Sequence, residues 1–400
     1  MSYLSCLSGI SNFDEAKQQL EKKNLIVNSE YNNLGMYLVK YNRDTSDFSD
    51  PDVRKCRGLI LSSKDNSVIC PVPQKSSKNT EILENYTGNS NKYVVTDFLD
   101  GTMINYFEHE GVRYISTRSC IGAKCHWMSD KSFSEMFYEC LKSTDLTLDS
   151  LDMDYCYSFL IQHPNNRIVK KYLSPRLVLT HVSRVVDGKV LFYNVHEFST
   201  YYGLKIDVPT KYNFESIEDM FGYISSLDST EQGLMIFEKD EENPGSFIDL
   251  GRYKIRNMKY NQVRELKGNT NNKHYLFFNL RKSAYGSYEK YIKFFEEDKE
   301  LFDCYREELY SFTKELFKAY LDCFVNKNTD GTPVKIHKEA PFELKPLIAE
   351  LHANHIKTRN PTTKNIVIQY LHNLPIPRIL FALSKRRKRL NIINEPLEEV

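Results

Sequence analysis

Residues 92–118 read KYVVTDFLDGTMINYFEHEGVRYISTR. Within them KYVVTDF (92–98), TMINYFE (102–108) and VRYISTR (112–118) are rich in β-branched and aromatic residues. Asp100-Gly101 and the His-Glu-Gly of 109–111 punctuate these runs. Short runs of this kind between glycine-bearing turns predict an antiparallel meander with a tight turn at Asp100-Gly101. The same texture extends outward. A short helix over 13–22 precedes a strand, MYLVKYN (36–42). GLILSS (58–63) and VICPVP (68–73), joined by Lys-Asp-Asn-Ser, read as a hairpin. Strands return at 155–162, 176–185, 189–195, 233–238 and 252–257, with helices over 131–141 and 216–226 between them. From about residue 268 apolar residues recur at helical spacing through 288–327, and 343–357 and 363–372 also read as helices. The fold class expected is α+β: an antiparallel-sheet domain over 1–267, then an all-helical domain over 268–400 with a basic run, KRRKR, at 385–389.

Composition narrows the function classes. The 400 residues hold 54 Lys+Arg against 53 Asp+Glu, a net charge of +1 that excludes a globally basic nucleic-acid coat and leaves room for a local basic face. Apolar residues at 41% and charged residues at 27% exclude general disorder. No apolar run reaches the roughly 18 residues of a membrane span, so no membrane partner is expected. The N-terminal MSYLSCLSGISNFDEAK lacks the basic-then-apolar order of a signal peptide. Nine Cys with no CxxC pair argue against a disulfide framework or a zinc site, and for a reducing compartment such as the cytoplasm. His352 and His355 lie at i, i+3 without a third ligand, so no metal site is expected.

Seven segments carry the chemical information. In order they are VRKCRGLILSS (53–63), PVPQKSSKNTE (71–81), TDFLDGTMINYF (96–107), YISTRSCIGA (114–123), CYSFLIQHPNNRIV (156–169), TEQGLMIF (230–237) and YKIRNMKYNQV (253–263). Together they resemble the phage-type RNA ligase 1 family of covalent nucleotidyltransferases over about residues 35–265. That family shows an RG strand, K-x-D-G, a T-K/R-G-S strand, F-E-x-x-x-P-x-N-R-I-V, E-G-x-V and K-x-K-x-x-x-Y, and PNNRIV is the most specific piece here. The resemblance implies a nucleotidyltransferase (ATP-grasp-like ligase) fold. It also implies ATP and Mg²⁺ as cofactors, and a lysine that attacks the α-phosphate to form lysyl-AMP.

The departures fall on the chemistry. Aligned on Asp100-Gly101, the nucleophile position is Phe98, whose ring has no lone pair to give. The glutamate of F-E falls on Leu160 and that of E-G-x-V on Gln232. Leucine cannot hold ribose or metal, and glutamine brings no negative charge where Mg²⁺ takes carboxylates. Of the two lysines that neutralise phosphates, Lys254 is kept and the second is Arg256, charged but with a different geometry. No catalytic residue is therefore expected, and no cofactor, unless an active ligase uses a displaced lysine such as Lys92 or Lys75.

What survives implies phosphate or nucleic-acid binding. Arg57, Lys75, Asp100, Gly101, Arg118, Lys254 and Arg256 are the nucleotide- or phosphate-binding candidates. Asn166 and Arg167, with Lys385, Arg386, Arg387, Lys388 and Arg389, are the nucleic-acid candidates, and the basic run also fits a nuclear import signal. The expectation is a pseudoenzyme that keeps a ligase scaffold and a cationic cleft for RNA, a nucleotide or a protein partner. The rivals are an active ATP-dependent RNA ligase and a structural or virion-assembly protein with an apolar-filled cleft. Richness in Phe, Tyr, Lys, Asn and Ile fits an AT-rich genome such as a large DNA virus, and hence a virion or viral factory.

Overall fold

A computed structural model describes residues 2–77, 86 and 92–391, and the chain divides into two units, Met1–Arg264 and Glu265–Val400. Residues 78–81 of the second motif segment lie outside the described residues.

In the first unit β1 (Leu25–Asn28), β2 (Met36–Tyr41), β3 (Arg57–Ser62) and β4 (Val68–Cys70) form one antiparallel sheet in that order. Asn12 caps the helix Phe13–Lys22, which buries Ala16 and Leu20 in the core of this sheet. A second sheet contains β5 (Tyr93–Asp97), β6 (Thr102–His109), β7 (Val112–Ser116), β8 (Cys156–Gln162), β9 (Arg176–Val186), β10 (Lys189–Tyr193), β11 (Lys211–Tyr212), β12 (Gly233–Lys239) and β13 (Ser246–Arg256). Its spatial order is β11-β5-β12-β13-β10-β9-β8-β6-β7, all antiparallel.

The stretch 92–118 does not fold as a meander. β6 and β7 pair as expected, but β5 pairs with β11 and β12, and β6 with β8. Five strands separate β5 from β6. Asp97 and Thr102 are joined by at most about 18 Å of extended chain, whereas six inter-strand steps of a flat sheet would take about 29 Å. The sheet therefore curls, and β13 joins β10 through the pairs Phe192–Phe247 and Tyr193–Ser246. Two residues hold the crossing. Gly101 has φ +148°, and a Cβ there would lie 2.6 Å from the Ile161 carbonyl oxygen. The buried Asp100 carboxylate accepts from the N–H groups of Val169 and Lys170, each at 3.0 Å, and from the Tyr260 hydroxyl at 2.9 Å. These partners lie 69 to 160 residues away, out of reach of any local turn signal.

Alternation along the strands separates two faces. Ile104, Tyr106, Tyr157, Phe159, Leu177 and Leu179 bury against Phe133, Met136 and Phe137 of the helix Phe133–Lys142. Val95, Leu234, Ile236 and Ile255 bury against Met220 and Ile224 of the helix Ile217–Ser226. The alternate residues, including Met103, Asn105, Ser158, Leu160, Met235 and Lys254, occupy the other face in register.

The second unit is helical: Lys273–Lys282, Ser287–Phe294, Lys299–Phe324, Lys345–Thr358, Lys364–Asn373 and Ile376–Arg389. The helix expected over 288–327 is two, parted where Phe295 leaves helical geometry (φ −120°, ψ 61°). The basic run is the end of a helix that the sequence reading missed. No single helix among the described residues is long and apolar enough to cross a membrane.

Candidate anion-binding site

Strand β13 sets the arrangement. Arg252, Lys254 and Arg256 alternate along it, so they share a face at intervals of about 6.6 Å. Opposite them on β12 stand Phe237, Met235 and Gly233, and beyond on β5 stand Val94 and Thr96. Just past β5, Phe98 donates its N–H to the Gly233 carbonyl at 2.9 Å. Its ring lies 5.4 Å from the Arg256 guanidinium carbon, which places the aromatic side chain among the cations. Gly233 has φ +129°, and a Cβ would meet the Ile255 oxygen at 2.1 Å, so only glycine lets Gln232 turn into β12 here.

Other segments bring further cations. Arg57, at the start of β3, donates to the Pro73 carbonyl at 3.4 Å and lies 3.8 Å from Met103 Sδ. Gly58 follows it because a Cβ would strike the Arg118 backbone at 2.7 Å. Arg118 donates to the Tyr41 carbonyl at 2.8 Å, with its guanidinium carbon 4.1 Å from the Tyr41 ring centre. Lys75 Nζ sits 4.4 Å over the Phe48 ring. Arg252 donates to the Gln74 carbonyl at 2.7 Å, and Arg256 to Asn261 Oδ1 at 3.4 Å.

The hydrogen-bond partners given for these arginines are neutral, and the electrostatics follow. Burial, then the charges of Arg256, Lys75, Arg252 and Arg57, lower Lys254 from 10.5 to about 7. Burial and the Arg57 charge also lower Arg252. Burial, followed by Arg252 and Arg57, holds the His181 imidazole well below its usual range. His181 stands opposite Ser158 and edge-on to Phe237, 5.6 Å between ring centres. Arg118 Nε, Arg252 Nε, Arg256 Nε and His181 Nε2 are buried without a hydrogen-bond partner. The three arginine Nε–H groups are stranded donors, costly to bury, that an anion would satisfy. Thr180 Oγ1 gives its hydrogen to the Ser158 carbonyl, so neutral His181 donates from Nδ1 and its Nε2 is an acceptor.

A divalent metal does not fit this donor set. Leu160 is buried against Gly101, with its Cγ 2.9 Å from where a Cβ would stand. Gln232, also buried, supplies only a neutral amide. Asp100 gives its oxygens to Val169, Lys170 and Tyr260, while Glu231 pairs with Lys170. Among the described residues no three His, Cys, Asp or Glu side chains gather as a metal cluster. Mg²⁺ takes carboxylate oxygens, and here it would meet N–H donors and cations.

The structure gathers Arg57, Lys254 and Arg256 with Phe98, whose neighbours Gly101 and Gly233 bring in Leu160 and Gln232. Arg118 and Lys75 approach from the flank: burial and then the neighbouring cations Arg43 and Arg57 lower Arg118, and Lys75 is among the cations that lower Lys254. Three sets of candidates make contacts within the protein. Asp100 anchors the fold: Oδ2 accepts from the Val169 and Lys170 N–H groups and Oδ1 from the Tyr260 hydroxyl. Asn166 is buried and donates to Thr102 Oγ1 at 2.8 Å, and Arg167 Nε donates to the Val169 carbonyl at 3.0 Å, so both brace the Asp100 region. The basic run is not a free tail: Arg386 pairs with Glu315, Arg387 with Glu308, and Arg389 with Glu315 and Glu343. Of that run Lys388 is exposed and Lys385 lies 5.3 Å from the Phe381 ring centre. Sequence reasoning missed Arg252, which strand alternation from Lys254 would have found. It also missed His181, which no local pattern distinguishes.

No family model matches the chain. Over 227 residues it is 23% identical to a protein of Autographa californica nuclear polyhedrosis virus named as a bifunctional polynucleotide kinase/RNA ligase, covering 52% of this chain and 32% of that protein. Over 134 residues it is 28% identical to a protein of African swine fever virus named as an RNA-ligase, covering 28% of this chain and 29% of the relative. The chain thus spans about a third of the length of these curated relatives. Among solved structures it is similar to an ATP-dependent DNA ligase from Aquifex aeolicus (TM-score 0.43, 14% identity, 77% of this chain and 80% of that one). It is also similar to an archaeal ATP-dependent RNA ligase (TM-score 0.41, 14% identity, 72% and 74%). The viral relatives make this chain RNA-ligase-like in sequence.

Proposed function

We propose that this RNA-ligase-like protein is a pseudoenzyme that holds phosphates of RNA or a nucleotide on its cationic face and forms no lysyl-nucleotide bond at the usual position. The observation that carries the reading is the contact between Phe98 and Arg256. A ring occupies the place where the resemblance puts the attacking amine, while the phosphate-neutralising cations around it remain. A purely structural role fits less well, because an apolar-filled site would have no reason to strand three buried arginine donors. Of the displaced nucleophiles considered, Lys92 is ion-paired with Glu238 at 3.0 Å, and Lys75 stacks on Phe48.

One observation favours a second reading. Lys254, lowered to about 7, carries a lone pair at neutral pH and faces the same site, so it is the amine that an active ligase would use. One experiment separates the two. The protein is incubated with ATP labelled at the α-phosphate and Mg²⁺ or Mn²⁺, denatured, and resolved on a gel. The pseudoenzyme reading expects no label. An acid-labile, base-stable band whose peptide contains Lys254 would overturn it in favour of the second.

A further inference from the structure

The loss of the carboxylates and the survival of the cations have a joint consequence for the ligand. Arg252, Lys254 and Arg256 form a row about 13 Å long on β13, at two residues per interval. Arg57 acts on Lys254 and on His181 from β3, and Lys75 acts on Lys254 from the segment after β4. The hydrogen bonds given for the arginines end on neutral groups: the Gln74, Pro73 and Tyr41 carbonyls and the Asn261 amide. Arg118 Nε, Arg252 Nε and Arg256 Nε are buried donors without a partner. A lone phosphate is shorter than this row and cannot engage all of it, whereas each further linked phosphate reaches more of it. In a metal-dependent site the divalent ion bridges phosphate to carboxylate and supplies much of the neutralising charge. Here side-chain cations already supply that charge, and Leu160 and Gln232 leave an ion nothing to hold.

Resting on the binding role proposed above, we infer that this face takes an oligophosphate, two or more linked phosphates, by direct contact with its cations and with no divalent ion between. The phosphates belong either to a free nucleotide or to the 5′ end of an RNA. Mg²⁺ is then a competitor for the phosphate oxygens and weakens binding.

Titration calorimetry on the full chain tests this with inorganic tripolyphosphate, ATP, and one short RNA bearing a 5′-triphosphate, 5′-monophosphate or 5′-hydroxyl. Tripolyphosphate should bind in EDTA, and excess Mg²⁺ should weaken it by about tenfold or more, the equivalent of one charge-assisted contact. This comparison uses the unaltered protein, so it does not depend on any variant folding. Lys254→Met should cost tripolyphosphate affinity by about tenfold. Tighter binding of triphosphate RNA than of ATP assigns the phosphates to an RNA end, the reverse to a free nucleotide, and either supports the inference. Binding that needs Mg²⁺, or monophosphate RNA binding as tightly as triphosphate RNA, overturns the inference and leaves the pseudoenzyme reading standing. A covalent adduct overturns that reading without touching this one. Absence of binding by every probe overturns both.

Discussion

Lys254→Met should stabilise the unliganded first unit, and the gain should shrink as pH rises. Methionine keeps the unbranched stem beside Met235 and removes the charge. Burial and the facing cations Arg256, Lys75, Arg252 and Arg57 lower the amine from 10.5 to about 7. At about 1.4 kcal/mol per tenfold change that lowering corresponds to about 5 kcal/mol in a dry site. The amine keeps part of its surface in solvent, which reduces the cost to about 2 kcal/mol. For a unit of this size each kcal/mol moves the melting temperature by about 2–4 °C, so the variant should melt about 4–8 °C higher. The sign of the pH dependence follows from the direction of the lowering. The folded amine releases its proton near pH 7 and the unfolded amine near 10.5. The destabilisation is therefore complete below pH 7 and fades between pH 7 and 10.5. Differential scanning calorimetry at pH 6 and pH 9, in low salt, should show the pH 9 gain at about half the pH 6 gain or less. A variant that melts below the parent, or a gain equal at both pH values, would refute the claim that Lys254 is buried among other cations.

Phe98→Lys alone should not restore nucleotide transfer, because Leu160 and Gln232 still lack the carboxylates, each worth about 3–4 kcal/mol at a well-placed electrostatic position. The triple variant Phe98→Lys, Leu160→Glu, Gln232→Glu should give more labelled adduct than the single one, and robust label from Phe98→Lys alone would show the rest of the site intact. Gly101→Ala should destabilise the first unit by about 1–3 kcal/mol in urea denaturation, since its φ of +148° and the Ile161 oxygen leave no room for a methyl group. Arg386→Ala should cost the second unit about 3 kcal/mol, because Arg386 is buried against Glu315 and Ser311. Lys385→Ala with Lys388→Ala should leave stability unchanged and alter the salt slope of single-strand binding by at most about 1.4, two cations at about 0.7 each. A larger change in slope would mean that the run engages nucleic acid through its ion-paired arginines too.

Strands were legible where a two-residue period met a half-buried sheet, as in 36–41, 57–62 and 156–162, and turn residues marked their ends. Pairing was not legible in the same way. The tight-turn reading of Asp100-Gly101 used only neighbours in sequence, while the conformation there is fixed by Ile161, Val169 and Tyr260. In the second unit the helical period survives the break at Phe295, so spacing alone joined two helices. A basic pentapeptide looks alike whether solvated or neutralised, and Glu308, Glu315 and Glu343 that neutralise it come from 46 to 79 residues away. At the site, Arg57, Lys254 and Arg256 were readable because a motif frame carried them. His181 owes its place to the register of β9 against β8, which only three dimensions reveal.

The composition of the cationic face bears on the proposed pseudoenzyme reading. Once a nucleophile and two carboxylates are gone, buried cations with stranded N–H groups are a liability to the fold. Replacing them with methionine or leucine of similar volume would be neutral or stabilising. Structural drift would therefore remove them along with the acids. Instead Arg57, Arg118, Arg252, Lys254 and Arg256, from three separate segments, are all cationic side chains, and the charges of Arg57, Arg252 and Arg256 lie close enough to lower Lys254. A local rule broken at one place, at a cost to stability, marks a functional site. On the proposed function, acids absent and bases present at these positions make the site suited to direct, reversible contact with phosphate rather than to a metal and a covalent intermediate.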